Sequence, residues 1–349
     1  MFAKIQSDSE GWLGASMKIS IWNFFIILAI AIQVGHAPVF AESVDYNKKY
    51  SEALEAYRAN NYSKVKEILE PIAKNKITAS TQSDGNSVFL GPAILDLLGW
   101  TYADGEKYDK ALEVFIRMQR VYPKEVFRGR LEGEGYYGGP GGAVALRNQI
   151  LIYAAPHWLF RDSELKADCT ATIKAAQELI KGYPDTLAPC WESCGTFSEF
   201  AVTSSGECLS KASAKEFDSR IGGLLGLVSP EEKSLIARTK MQIASKYRED
   251  RDYSSATRIY REVAQKYLRV YYVNEEDGID EFFGLESIAA ILQMQLDQKA
   301  TPSDIKKTKD ELRDACESLM KTIVRDPGEM KNILNAKCSL LLGTSSSGG

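Results

Sequence analysis

Few residues of this chain have types and spacings suited to chemistry. Beyond residue 41 the only histidine is His157, so any Ser-His-Asp or Cys-His arrangement must use it. It lies in Ala154 to Phe160, between a proline and a tryptophan, and reads as a packed, hydrogen-bonded side chain rather than a base. Cys190 and Cys194, with Cys208 beyond, have a spacing that paired zinc ligands accept. There is no histidine beside them and no C-x-x-C redox motif, so disulfides are the expected use. Gly133, Gly135 and Gly138 have G-x-G-x-x-G spacing. A dinucleotide loop needs a strand before it and a parallel sheet around it. Here the preceding Lys124 to Glu132 is charged and no Gly-Lys-Ser/Thr exists. The stretch reads as a mobile glycine-rich loop, with Tyr136 and Tyr137 as candidate partner contacts. No catalytic constellation, metal site or cofactor is expected.

The ends and the composition narrow the class. The chain has 349 residues and a formal net charge of -4. Lys18 precedes an unbroken apolar run, Phe24 to Ile32, and Val39 and Ala41 form a small-residue cleavage site before Glu42. This is the pattern of an export signal cleaved after Ala41, with Met17 favoured as its start. The run is shorter than the roughly 20 apolar residues that a span needs, so no membrane span is expected after cleavage. A mildly acidic chain has no basic footprint for nucleic acid and no polybasic membrane patch.

What remains must position an interaction surface, and here the helical pattern is informative. Leu95, Leu98, Gly99 and Tyr102 recur at i, i+3, i+4 and i+7, one face of a helix. Gly99 allows a second helix to come close. Tyr108, Ala111, Leu112, Phe115, Met118 and Tyr122 form a second stripe, Asp104 and Gly105 favour the turn between, and Pro123 ends the pair. Leu95 to Pro123 resembles a tetratricopeptide repeat, W-x2-L-G-x2-Y, then A-x3-F, then P, with Leu95 in place of the aromatic. Two further copies share its offsets. One is Tyr46 to Ala59 with Asn61 to Ile72, where Ala53 stands for Gly99. The other is Ile236 to Leu268, whose last helix is expected to run on towards Tyr272.

The expected fold is therefore all-α, a tetratricopeptide-like superhelix of helical hairpins with an irregular disulfide-rich insertion. Its divisions are a leader and signal (1–41), N-terminal repeats (42–125), and a Gly-rich loop with a Cys-rich irregular or helical segment (126–210). A C-terminal repeat with capping helices (211–342) and a flexible tail (343–349) complete the chain. Thr78 to Pro92 reads as a loop, Leu165 to Pro184 as a degenerate unit, and Gly278 to Leu296 with Pro302 to Val324 as a capping pair. Glu286, in Gly284-Leu285-Glu286-Ser287, is similar to the catalytic glutamate of lytic transglycosylases. The downstream residues of that family are missing, so it reads as a solvated helix residue.

The six cysteines of an exported chain suggest disulfides. Asp326-Pro327-Gly328 reads as a turn with Cys316 and Cys338 equally far on either side, which pairs them. Such a bond contributes about 2–4 kcal/mol. The partners of Cys169, Cys190, Cys194 and Cys208 stay open. The resemblance implies a groove lined by the first helix of each pair. That selects Asn47, Tyr50, Tyr57 and Arg58, then Asp96, Trp100 and Asp104, then Arg238, Met241 and Arg248. Trp, Tyr and Arg are enriched at binding hot spots. The expected function is a non-catalytic periplasmic or secreted scaffold that binds a protein or peptide segment in cell-envelope assembly. A peptidoglycan-acting envelope enzyme and a self-associating structural subunit are the alternatives.

Overall fold

In the computed structural model the described residues are 45–83, 86–130, 136–156, 159–160, 165–184, 186, 195–273, 280–323 and 329–343. The chain divides into two compact units, Met1–Asp45 and Tyr46–Gly349. Every described helix and strand belongs to the second. The export-signal expectation, Cys190, Cys194 and His157 lie outside the described residues.

The described residues form an all-α solenoid of helical pairs, with three short β-hairpins set between pairs. The pairs are α1 (Tyr46–Arg58) with α2 (Tyr62–Ala73), α3 (Leu90–Asp104) with α4 (Tyr108–Val121), and α5 (Gly141–Ala154) with α6 (Cys169–Gly182). They continue as α7 (Phe197–Cys208) with α8 (Ala214–Leu225), α9 (Lys233–Glu249) with α10 (Tyr253–Lys266), and α11 (Phe283–Asp297) with α12 (Pro302–Ile323). A last helix, α13 (Glu329–Leu342), completes the stack. Each helix packs on the next in order. The hairpins are β1 (Ser80–Ser83) with β2 (Asn86–Phe89), β3 (Val126–Arg130) with β4 (Tyr136–Pro140), and β5 (Tyr271–Val273) with β6 (Asp280–Phe282). All three are antiparallel, in registers Ser80↔Phe89, Val126↔Pro140 and Tyr271↔Phe282. Each leads from a second helix into the next first helix.

One turn is used four times. Asn60, Glu106, Arg251 and Lys299 have φ of 55°, 57°, 62° and 54°. Around each, two backbone bonds close the helix end: Glu106 N donates to Ala103 O (2.9 Å) and Lys107 N to Tyr102 O (2.8 Å). The same pair recurs at Asn60/Asn61, Arg251/Asp252 and Lys299/Ala300. This is the Schellman closure, in which one left-handed residue lets the last carbonyls find donors. It fixes the angle at which each second helix returns. The next helix is then capped by a side chain in three of the four, Asn61 accepting from Lys64 N, Asp252 from Ser255 N and Thr301 from Asp304 N.

Five expectations need correction. Thr78 to Pro92 is a hairpin followed by helix, because α3 begins at Leu90. Pro92 sits in the first helical turn, where its missing N–H costs nothing. Gly133 to Gly142 is not a loop throughout: β4 takes Tyr136–Pro140, and Gly141 and Gly142 open α5. A Cβ on Gly141 would press on Tyr122 O and Pro92, and one on Gly142 on the Tyr183 hydroxyl and Pro123. These glycines therefore serve close packing of helix ends. The region 126–210 is more regular than expected, carrying β3, β4, α5, α6 and α7. The third-repeat helix stops at Lys266, and Tyr271–Val273 is strand, which suits its aromatic and β-branched residues. Glu286 is half-buried and paired with Lys337 of α13 (2.7 Å).

The core is one cluster running from α1 to α11, plus a smaller C-terminal one around Leu285, Leu312, Leu319 and Leu334 and a third at Ala237, Val263 and Phe283. Among the described residues two disulfides staple it. Cys169–Cys208 (S–S 2.02 Å) ties the start of α6 to the end of α7, and Cys316–Cys338 (2.21 Å) ties α12 to α13. At Gly99 a Cβ would enter the ring of Phe115, which is wholly buried. Phe115→Ala is expected to cost about 3–5 kcal/mol in urea unfolding. Gly99→Ala is expected to cost about 1–3 kcal/mol by overpacking, and the double variant less than the sum of the two. Strict additivity would show that the two positions do not touch.

Candidate functional site

The residues selected for the first-helix face fall on α1, α3 and α9, and half of them (Tyr50, Tyr57, Asp96, Asp104 and Arg238) interact with a neighbouring first helix. Tyr57 on α1 donates its hydroxyl to Asp104 Oδ2 on α3 (2.5 Å). Tyr50, half-buried, faces the charge of Asp96. Asn148 on α5 donates Nδ2 to Asp96 Oδ1 (2.7 Å), and Arg147 Nη1 donates to Asn148 Oδ1 (3.2 Å). The Arg147 guanidinium lies 5.4 Å from the ring of Phe200 on α7. Glu199, the neighbour of Phe200, pairs with Arg238 on α9, which also stacks 5.5 Å from the Tyr272 ring. Side-chain contacts thus run α1, α3, α5, α7, α9 in an unbroken line.

Within that line the residues differ in availability. Asp96 is 3% exposed; the expectation that it lines an open groove is corrected, because α5 and α1 cover it. Trp100 is half-buried and meets Phe115 edge-on at 5.7 Å, so it packs on its own pair. Met241 is half-buried against both the main core and a small cluster at Phe283. Arg58, Asp104, Arg248 and Asn47 are exposed. Tyr136 and Tyr137 stand in β4 opposite Arg130 and Gly129. Sequence reasoning missed Arg147, Asn148, Glu199 and Phe200. A signal existed: Arg147-Asn148-Gln149 is a polar triplet inside an otherwise apolar helix, and buried polar groups demand partners.

Burial and charge set the electrostatics of the line. Burial, and then the charge of Asp104, hold the Tyr57 hydroxyl well above its ordinary range. Burial, and then the nearby Asp96, do the same for Tyr50. Burial pushes Asp96 from 3.8 up to about 7, against the pull of the Asn148 hydrogen bond and the Arg147 charge. Burial lowers Arg147 to about 10, opposed by Asp96. Such an arrangement positions groups and selects charge. Among the described residues no group of three or more His, Cys, Asp or Glu stands where it could hold a metal ion.

No family model matches the sequence, and no curated protein matches it. Among solved structures the chain is similar to the Assembly Chaperone of RpL4 (Acl4), residues 1–338, at 11% identity and a TM-score of 0.23, over 86% of this chain and 97% of that one. A likeness at that score is no guide to function.

The raised Asp96 has a consequence for stability. Between about pH 4 and 7 the native protein keeps a proton that the unfolded chain has released. Its stability therefore falls as pH rises through that window. Asp96→Asn removes this slope. Between pH 4.5 and 8, urea unfolding should show the variant gaining about 2–4 kcal/mol relative to the parent. Parallel pH curves would mean that Asp96 titrates normally.

Proposed function

We propose that the chain is a non-catalytic interaction scaffold of the tetratricopeptide kind, whose first-helix face binds a protein or peptide segment. One observation carries this reading. On α1 and α3, half-buried Tyr57 and Trp100 stand beside exposed Arg58 and Asp104, and the Tyr57–Asp104 bond holds the two helices in register. Rigid aromatic anchors with a charged rim are what a protein-binding surface needs. Along the line Tyr57 is bonded to Asp104 and Glu199 to Arg238, contacts that hold helices in place.

The reading extends to location. Two cysteine pairs at bonding distance fit an oxidising compartment, where such bonds persist. With the export signal read from residues 18–41, this supports the periplasm or the exterior, and a role in envelope assembly. No helix among the described residues is long and apolar enough to cross a membrane.

Capture of partners from an envelope extract tests the reading. An Arg58→Glu/Trp100→Leu variant is compared with the parent and with Ile116→Ser, which alters an exposed residue of a second helix. A protein held by parent and Ile116→Ser at equal levels, and reduced at least tenfold by the face variant, is the expected outcome. Equal capture by all three would move the site off this face.

A further inference from the structure

A cavity of about 470 Å³ lies between α8, α9 and α10, within the size range of small-molecule sites. All its lining residues belong to the stretch 195–273, which is described without a break. Val228, Ile243 and Ile259 give it a buried aliphatic floor, with Leu225 and Ile236 half-buried beside them. It meets solvent at Gly226, Pro230 and Arg258, which are exposed. On α9 it takes Ile236, Lys240 and Ile243, the stripe opposite Arg238 and Met241. It is therefore separate from the first-helix face. The wall formed by α8 explains why the space is open. Gly222 and Gly226, one turn apart, both line it. A Cβ on Gly222 would meet only Asp218 Oδ1, at 3.3 Å, and one on Gly226 only the carbonyls of Gly223 and Gly222, at 3.5 and 3.8 Å. Gly99 has the Phe115 ring against it, whereas neither of these has any atom of α9 or α10 within 4 Å. Glycine weakens a helix interior, and at Gly222 no neighbouring helix packs closer in return.

The charges around the cavity decide what fits. Asp218 accepts from the Tyr247 hydroxyl (2.9 Å). Glu262 Oε1 takes both Lys240 Nζ and Lys266 Nζ, each at 3.0 Å. The last carbonyls of α8 would oppose an anion, but Gly226 N, Leu227 N and Val228 N donate to Gly222 O, Leu224 O and Leu225 O. Asp252, whose carboxylate feels the Arg258 charge, has both oxygens on Ser255. Arg258 stands at the mouth and forms no ion pair among the described residues. The charge on offer is thus one guanidinium above an aliphatic floor, and a guanidinium matches the two oxygens of a carboxylate. We infer that this cavity binds an amphipathic monocarboxylate, with its aliphatic tail on Val228, Ile243 and Ile259 and its carboxylate at Arg258. The inference does not rest on the first-helix face; it adds a small-molecule site on the other side of α9.

The test reads the cavity floor directly. The full-length protein, carrying carbon-13 at its isoleucine δ-methyl groups, is titrated with octanoate, octanol and octyltrimethylammonium, each below its micelle-forming concentration. Replacing Ile236, Ile243 and Ile259 with valine one at a time assigns their resonances. Octanoate is expected to shift these methyls saturably with a Kd below about 5 mM. Ile94 and Ile150, buried elsewhere in the core, should stay in place. The ammonium should bind at least about fivefold more weakly than octanoate. Arg258→Gln should weaken octanoate about three- to tenfold and leave octanol unchanged. Gly222→Leu, which fills the space, should abolish binding of both. No saturable shift, equal shifts at Ile94 and Ile150, equal affinity for the ammonium, or undiminished binding in Gly222→Leu would overturn the inference. Should Gly222→Leu unfold, Arg258→Gln, a change at an exposed side chain, decides the matter. An octanoate affinity equal to the parent's would then overturn the inference.

Discussion

The side-chain amide of Asn148 joins two buried charges that do not reach each other. Its Nδ2 serves Asp96 and its Oδ1 serves Arg147, so one neutral group links the second and third pairs of the stack. A helical pair cannot bury both of its faces alone, and α3 and α5 are buried along nearly their whole length. They must therefore be pressed together, and whatever polar groups they carry must be satisfied on the spot. The amide accomplishes that for α3 and α5. From it the contacts pass outward, through Asp96 and Tyr50 to α1 and through Arg147 and Phe200 to α7. The row proposed as the binding surface is the row that holds the pairs in line.

Two other devices keep the stack regular. The repeated left-handed turn sets the return angle within a pair, and glycines let helix ends meet within and between pairs. Gly91 accommodates the Tyr122 ring, and Gly284 the backbone at Leu268. The hydroxyl of Tyr122 then accepts from Ile77 N in the chain leading to β1 (2.6 Å), and that of Tyr183 donates to Pro123 O (2.8 Å). The tyrosine that closes a second helix thereby fastens the segment from which the hairpin before its own pair starts. Such rigidity suits the proposed function, because a surface whose anchors are already ordered loses less entropy on binding.

The sequence made part of this legible. The 3.6-residue periodicity and the small residues at Ala53 and Ala244 placed α1, α2, α4, α9 and α10, since these helices have one buried stripe, and the Leu95-Leu98-Gly99-Tyr102 spacing placed the later part of α3, although α3 is buried almost throughout. It did not reveal α5, which is apolar almost throughout and so has no stripe to read, nor the start of α3 before Pro92. The first two hairpins escaped because Ser, Thr, Asn and Gly in their strands look like loop, and the third because Tyr271–Val273 continues the pattern of the helix before it. The shared Schellman turn was hidden for a related reason: none of its four left-handed residues is glycine. At the candidate site, register selected Tyr57, Asp104 and Arg238. It could not show that these side chains bind one another or their neighbours, because pairing across helices depends on which pairs are adjacent. Cys316 and Cys338 were matched by symmetry about a turn, whereas Cys169 and Cys208, 39 residues apart, needed the fold.

The central claim is that one amide couples the buried carboxylate to the rest of the first-helix row. A double-mutant cycle on Asp96→Ala and Asn148→Ala, followed by urea unfolding at pH 8, tests it most directly. A coupling energy of about 1–3 kcal/mol is predicted, with each single variant costing more in the presence of its partner. Single effects that add to within about 0.5 kcal/mol would contradict the account.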